Sequence, residues 1–433
     1  MSRQTQQIAP GPPPRWPIGQ WLPFRREPVG FLMNLVRRYG DVARFYLGPR
    51  PVYLFTRPEH IRYLLVTAHE GYSKRTRSYR ALRDLLGNGL LTQEGDEWAH
   101  ARAKLQLRFT PAVISEHGAT IITVSDRWID QRRTQDRPLD LRQGMIDLAV
   151  EIAAAVLFGQ NHLPDRKRLT TLVYQGLKLS SQRVISPYDL PGFLPGSRAW
   201  RVQRVATRLA HTATRLYQTG EGGLLQEAWK EHAADGNAQL VTMLSAGYEA
   251  IANLLSWFWY HLASEPDWIV RLRQEAFHLG VESSPAQRIT RPLLQAALNE
   301  TMRLHPPTWA IPRLALEDDR LDGVSIPASA LVMISPSITH RHPAYWDDPD
   351  RFDPKRFLSP TYDNRSRHAF FPFGLGPRIC IGKALAEFAL PLIVTCLLPH
   401  IDLVVDPPPH LETEALLTLR PRGTILAHCR LAT

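Results

Sequence analysis

Cys380 is the residue of this chain best placed to do chemistry. It lies in Phe373-Gly374-Leu375-Gly376-Pro377-Arg378-Ile379-Cys380-Ile381-Gly382, just ahead of an apolar stretch, residues 381–398, that reads as a helix. A thiolate at a helix start is stabilised by the positive end of the macrodipole and by free backbone N–H groups, so it can serve as a permanently charged metal ligand. Gly376 and Gly382 let the backbone lie flat against a large planar ligand. Phe373 can cover the sulfur, Arg378 can meet an anion, and Pro377 stiffens the turn between them. The competing account is a buried structural cysteine in a Gly/Pro turn, the commoner case for a lone Cys.

The spacing F-x-x-G-x-R-x-C-x-G decides between the two. Phe373, Gly376, Arg378, Cys380 and Gly382 fill all five fixed positions, and the loop resembles the ligand loop of the cytochrome P-450 superfamily, the haem-thiolate monooxygenases. The resemblance implies that Cys380 is the axial ligand of a haem b iron, and thiolate ligation pushes electron density towards O–O cleavage. It also implies a mainly α fold with a small β subregion, the haem lying between a long central helix and the helix after the cysteine loop. One haem-binding domain is expected over residues 1–433.

The elements that must position such a site can be read next. Residues 240–264 form the longest apolar run, and Glu249, Asn253 and His261 within it argue for a buried helix rather than a membrane span. There Ala246-Gly247-Tyr248-Glu249-Ala250-Ile251 stands where the family usually has A-G-x-[DE]-T-[TS]. By resemblance Gly247 leaves room for dioxygen and permits a local bulge, and Glu249 supplies protons. The usual threonine, whose hydroxyl takes part in proton delivery, is Ala250. An ordered water or a substrate hydroxyl could replace it, or the enzyme could consume peroxide or rearrange its substrate.

Residues 97–109 read as a helix in which Trp98 and Arg102 share a face; alone the pair fits a packed surface helix, and in the family it faces a haem propionate. Residues 292–304 read as a helix carrying Glu300-Thr301-Met302-Arg303, stopped by Pro306 and Pro307. The i,i+3 spacing makes an ion pair, and by resemblance a third partner, Arg356, completes a structural triad. Thr308, Trp309, Ala310 and Ile311, with Ala246, are expected to border the substrate pocket. Arg313 and His340, with Trp98, Arg102 and Arg378, complete the expected anchor for the propionates.

The rest of the chain is read more coarsely. A helix is expected over 28–39, a hairpin over 41–47 and 51–55, a helix over 58–67, and an Arg-rich capping loop over 72–91. Helices are expected over 139–158, 169–181 and 198–217, a second hairpin around Gly323 to Ser335, and a terminal hairpin over 416–430.

Composition sets limits. The chain has 433 residues, 44% of them hydrophobic, enough for a large core. It carries 36 prolines, a share above the usual ~5%, and residues 1–20 read as an extended Pro-rich lead-in without a transmembrane anchor. Three cysteines, Cys380, Cys396 and Cys429, give no even disulfide framework and suggest a reducing setting. The formal charge of +11 comes from scattered arginines rather than one tract, which argues against nucleic acid and for an acidic redox partner. The expectation is therefore a soluble, bacterial-type, cytoplasmic monomer that oxidises a small hydrophobic substrate with dioxygen in specialised metabolism, terpenoid or fatty acyl for example. Electrons are expected from a separate ferredoxin or flavodoxin with its reductase and NAD(P)H. Two other readings stay open: a peroxide-dependent or isomerising haem enzyme, and a non-catalytic haem gas sensor.

Overall fold

The computed structural model describes the chain except residues 1–7, 134–137, 164, 187–188, 230–236, 279–290, 360–367, 401, 405–410, 425 and 431–433. Its axis is the helix Asn237–Ala263, buried on most of its faces and packed along Leu141–Phe158. Helices with apolar residues all round belong inside a protein, and these two form the middle of the main core. Their close approach depends on glycine, because a Cβ on Gly247 would sit 3.0 Å from Leu157 Cδ1. The central helix runs as regular α-helix through Gly247 and Ala250, without the bulge that the sequence permits.

Around this axis lie Arg166–Val184 and Arg198–Thr219, packed on each other, and Pro292–Leu304, packed across the central helix. The helix Lys383–Leu397, with Pro391 inside it, follows the cysteine loop and packs on Gly118–Arg133. The small β region is a five-stranded sheet in the order Val42–Leu47, Arg50–Phe55, Leu331–Ile334, Ile311–Ala315, Tyr72–Ser73. The fold is thus mainly α with a small β subregion. No helix among the described residues is long and apolar enough to cross a membrane.

Three local expectations are corrected. The stretch 72–91 is not a plain loop: it contains the helix Arg77–Leu86, capped by Thr76 Oγ1, which accepts from the Tyr79 N–H at 3.4 Å. Its arginines hide a helical pattern, Ala81, Leu82, Leu85 and Leu86, all buried. Residues 330–335 do not make a hairpin of their own. Leu331–Ile334 instead pairs parallel with Arg50–Phe55 and antiparallel with Ile311–Ala315, while the local hairpin is Asp319–Leu321 with Val324–Ile326. The terminal hairpin is Thr413–Ala415 with Leu419–Pro421. The last strand, Leu426–Arg430, leaves it after Gly423, whose φ of +100° redirects the chain, to pair with Leu139–Asp140 and Asp402–Val404.

Candidate active site

A cavity of about 1510 Å³ reaches from the cysteine loop to the central helix, lined by Phe373, Cys380 and Gly382 and by Ala246, Gly247, Glu249 and Ala250. That is larger than the roughly 300–1,000 Å³ that holds one drug-sized molecule. There is room for two.

The cysteine loop is held by its own backbone. The Cys380 N–H donates to Phe373 O at 2.9 Å, Gly374 N–H to Phe371 O at 2.9 Å, and Ile379 N–H to Gly376 O at 3.1 Å. Gly376 has φ +71°, and a Cβ there would lie 2.0 Å from Leu65 O. No other residue fits. The Cys380 side chain is exposed, but to the cavity, since protein encloses the thiol on its other sides. Burial pushes the thiol pKa up, while the Gly382 N–H and the Arg102 charge pull it down. A metal cation at the sulfur would reverse the balance.

Beside the cysteine lies a cluster of cations. Arg378 stacks over the Trp98 ring, 3.9 Å from its centroid, and donates to Gln93 O at 2.8 Å. Arg102 donates to Ile379 O at 2.8 Å. Arg313, only 6% exposed, reaches Tyr79 Oη at 3.4 Å. A fourth cation, Lys74, is 8% exposed, donates to Leu91 O at 2.9 Å and lies over the Tyr79 ring. All four line the cavity. Among the described residues none has a carboxylate within ion-pair distance. Burial, then mutual repulsion, holds Lys74 well below its usual pKa, and burial with the Arg313 charge pushes Arg378 down to about 10.

His340 does not belong to this cluster, a correction to its expected place at the propionates. It is fully buried away from the cavity, its Nε2 accepting from the Phe371 N–H at 3.0 Å. Burial, then Arg303 and Arg341, holds its pKa at about 3, so it is neutral. Its carbonyl accepts from Arg303 at 2.9 Å, which ties the segment before the cysteine loop to a charge network behind it. In that network Arg303 and Glu300 form a double-pronged pair at 2.7 and 2.8 Å, with both side chains at 0% exposure. Arg356 Nε stands 3.4 Å from Glu300 Oε1, and the Asp353 N–H donates to the same oxygen at 2.8 Å.

Glu249 faces the cavity at the central helix, accepting from Thr418 Oγ1 at 2.5 Å. Burial pushes its carboxyl up, against Arg420, Thr418 and Asn253, which favour the ionised form. Thr308, Trp309, Ala310 and Ile311 line the same cavity. The Trp309 indole turns partly away, its Nε1 donating to Leu416 O at 2.8 Å.

The model of the cytochrome P-450 family matches residues 9–235 and 224–427. The chain belongs to the cytochrome P-450 family. Among relatives, cyclooctatin synthase of Streptomyces melanosporofaciens is 30% identical over 405 residues, which cover 87% of this chain and 85% of that one. Cyclooctat-9-en-7-ol 5-monooxygenase of the same organism is 27% identical, covering 90% and 88%. A crystal structure of a six-coordinated cytochrome P-450 from Thermus thermophilus matches with a TM-score of 0.74 and 28% identity, over 93% of this chain and 98% of that one.

This cytochrome P-450 is therefore a monooxygenase, and the family implies a haem-iron cofactor, a substrate, dioxygen and a source of electrons. The residues present fit a haem. Its iron needs a thiol open to the cavity, and its two carboxylates would answer the unpaired charges of Lys74, Arg102, Arg313 and Arg378. Lys74, Tyr79 and Thr418 escaped the sequence reading. Lys74 is the lone lysine in the Arg-rich 72–91 stretch, the only hint available. Thr418 carries no local signal, because its partner is 169 residues away.

Proposed function

We propose that the chain is a single haem-binding domain that hydroxylates or epoxidises a small apolar substrate. Cys380 would hold the iron of a haem b through its sulfur, with Phe373 beside it in the loop and Gly382 giving its N–H to the sulfur. Arg102, Arg313, Arg378 and Lys74 would hold the propionates, Trp98 orients Arg378, and Glu300, Arg303 and Arg356 stiffen the scaffold behind them. The haem supplies reductive activation of dioxygen. Everything else is the protein's work: Ala246, Thr308, Trp309, Ala310 and Ile311 hold the substrate and exclude water, Gly247 leaves space at the helix, and Glu249 holds a proton at the cavity wall. One observation carries the reading: a cysteine thiol and four cations, with no carboxylate at ion-pair distance among the described residues, open into one cavity.

The names of two relatives, a cyclooctatin synthase and a cyclooctat-9-en-7-ol 5-monooxygenase, favour a terpenoid substrate and specialised metabolism. Electrons come from a separate ferredoxin or flavodoxin, its reductase and NAD(P)H, with the chain working as a cytoplasmic monomer. A second reading rests on Ala250, which puts no hydroxyl where the family's motif has one: a peroxide-dependent or rearranging enzyme that needs no reductant.

Replacing the sulfur by oxygen tests the ligand. Cys380→Ser is expected to shift the absorption maximum of the carbon monoxide adduct of the reduced protein, and an unchanged maximum means that another side chain holds the iron. Turnover with NAD(P)H and partner, against turnover with peroxide alone, separates the two reactions.

A further inference from the structure

The central helix lacks a hydroxyl at position 250, yet a hydroxyl reaches the neighbouring acid from a different element. Thr418 follows the tip of the C-terminal hairpin, and its Oγ1 donates to Glu249 Oε1 at 2.5 Å. Both residues line the cavity. The hairpin is not free to drift, because Leu419 N–H donates to Pro307 O at 2.9 Å and Leu416 O accepts from the Trp309 indole at 2.8 Å. Both anchors lie on the segment after the Glu300 helix. The hydroxyl is thus fixed against the acid from outside its helix.

The charges around Glu249 come from two directions. From the hairpin come Arg420, 4% exposed and stacked over Tyr174 of the helix Arg166–Val184, and Glu414, whose carboxylate lies 3.9 Å from Arg420 Nε. From the central helix come the amide of Asn253, one turn on, and the buried Tyr248 phenol. Burial opposes ionisation of the acid, while Arg420, Thr418 and Asn253 support it and Glu414 opposes it. Of the three supporting groups, Thr418 is the one that itself lines the cavity beside the carboxyl.

We propose that Thr418 is the positioning residue for Glu249, supplying from the C-terminal hairpin the hydroxyl that Ala250 does not. The assignment rests on the reading of Glu249 as the proton source. It also gives Ala250 a physical account: with the acid already held from the hairpin, the helix does not need its own hydroxyl at the next position. Because residues 414–418 line the cavity, the strength of this hold depends on where the hairpin sits.

The test follows the carboxyl itself. In the full-length holoprotein, the infrared band of protonated Glu249, identified by its loss in Glu249→Gln, is titrated with pH in wild type, Thr418→Ser and Thr418→Val. Removing a donor to the ionised form should raise the midpoint in Thr418→Val by roughly one pH unit or more, whereas Thr418→Ser, which keeps the hydroxyl, should leave it in place. In turnover with NAD(P)H and a ferredoxin, the fraction of electrons that reach product should fall several-fold in Thr418→Val and recover in Thr418→Val/Ala250→Thr. An unmoved midpoint overturns the pairing. A raised midpoint with unchanged electron use overturns the role in proton supply. The infrared arm does not depend on turnover, so a failure of the monooxygenase reading shows itself separately, as a wild type that never couples electrons to product. Should Thr418→Val not fold, Thr418→Ala reads the same two quantities.

Discussion

Two groups of buried charge flank the cysteine loop, and they are built on opposite terms. Behind it, Glu300 is met by Arg303 at two points and approached by Arg356, with Asp353 N–H and several carbonyls taking up the remaining valences. Beside it, Lys74, Arg102, Arg313 and Arg378 face the cavity with backbone carbonyls, a glutamine and a phenol for company, and no carboxylate within 4.0 Å of their charged groups among the described residues, the Glu94 carboxylate reaching Lys74 only at its backbone N–H. Desolvating a charge costs several kcal/mol unless a partner compensates it. The first group is compensated within the chain and holds the fold with or without a ligand. The second awaits anions, so its stability is conditional on the cofactor.

The sharpest way to break the comparison is to unpair the first group. Glu300→Ala leaves two buried guanidinium groups, that of Arg303 fully desolvated, without their carboxylate, and losing one partner of a buried pair costs about 3–5 kcal/mol. Denaturant unfolding should show that loss equally in haem-loaded and haem-free protein. A loss confined to the loaded form would mean that the triad serves the cofactor directly and the contrast is false.

How far these two groups could be read from the sequence differs for a physical reason. Glu300 and Arg303 are three residues apart on a helix, so local periodicity brings them together, and Cys380 lies in a loop whose spacing is itself the signal. The long helices were legible too: 28–39 and 292–304 coincide with Pro28–Tyr39 and Pro292–Leu304. Tertiary pairing is what stayed hidden. Lys74 sits by Arg378, which lies near the far end of the chain, Thr418 meets Glu249 across 169 positions, and residues 330–335 joined a sheet rather than each other. His340 was misplaced because an imidazole near a cofactor motif has two uses. Its ring became an acceptor for the Phe371 N–H instead of a donor to an anion.

The compensated group has its own cost, which pH reveals. Arg303 and Arg341 crowd positive charge near three buried imidazoles, so His261 and His340 have pKa values of about 3 and His305 is also held well below its usual value, with burial the largest cause in each. An unfolded histidine takes up its proton near pH 6.5, and the folded one does not until much lower. Stability is therefore complete above about pH 6.5 and is lost progressively as pH falls towards 3. His340→Gln keeps an acceptor for the Phe371 N–H but cannot be protonated. Between pH 7.5 and pH 5 its unfolding free energy should fall by roughly 2 kcal/mol less than that of wild type. Parallel declines would show that His340 is not one of the groups that set acid sensitivity.

A third effect separates the groups most cleanly, because its sign changes with the ligand. Lys74→Met keeps an apolar stem of similar length and removes one charge from the uncompensated group. Without haem the lysine is desolvated and repelled by Arg313 and Arg378 more than it is attracted by Glu94, so the substitution should raise the melting temperature of the haem-free protein. With haem, a carboxylate loses a charge-assisted partner worth about 1.5–3 kcal/mol, and haem should pass to a scavenging apoprotein about tenfold faster or more. Arg303→Met, in the compensated group, should lower stability in both states. A Lys74→Met protein less stable in both states would mean that the lysine already has its counter-charge within the chain, and the two groups would then differ only in position.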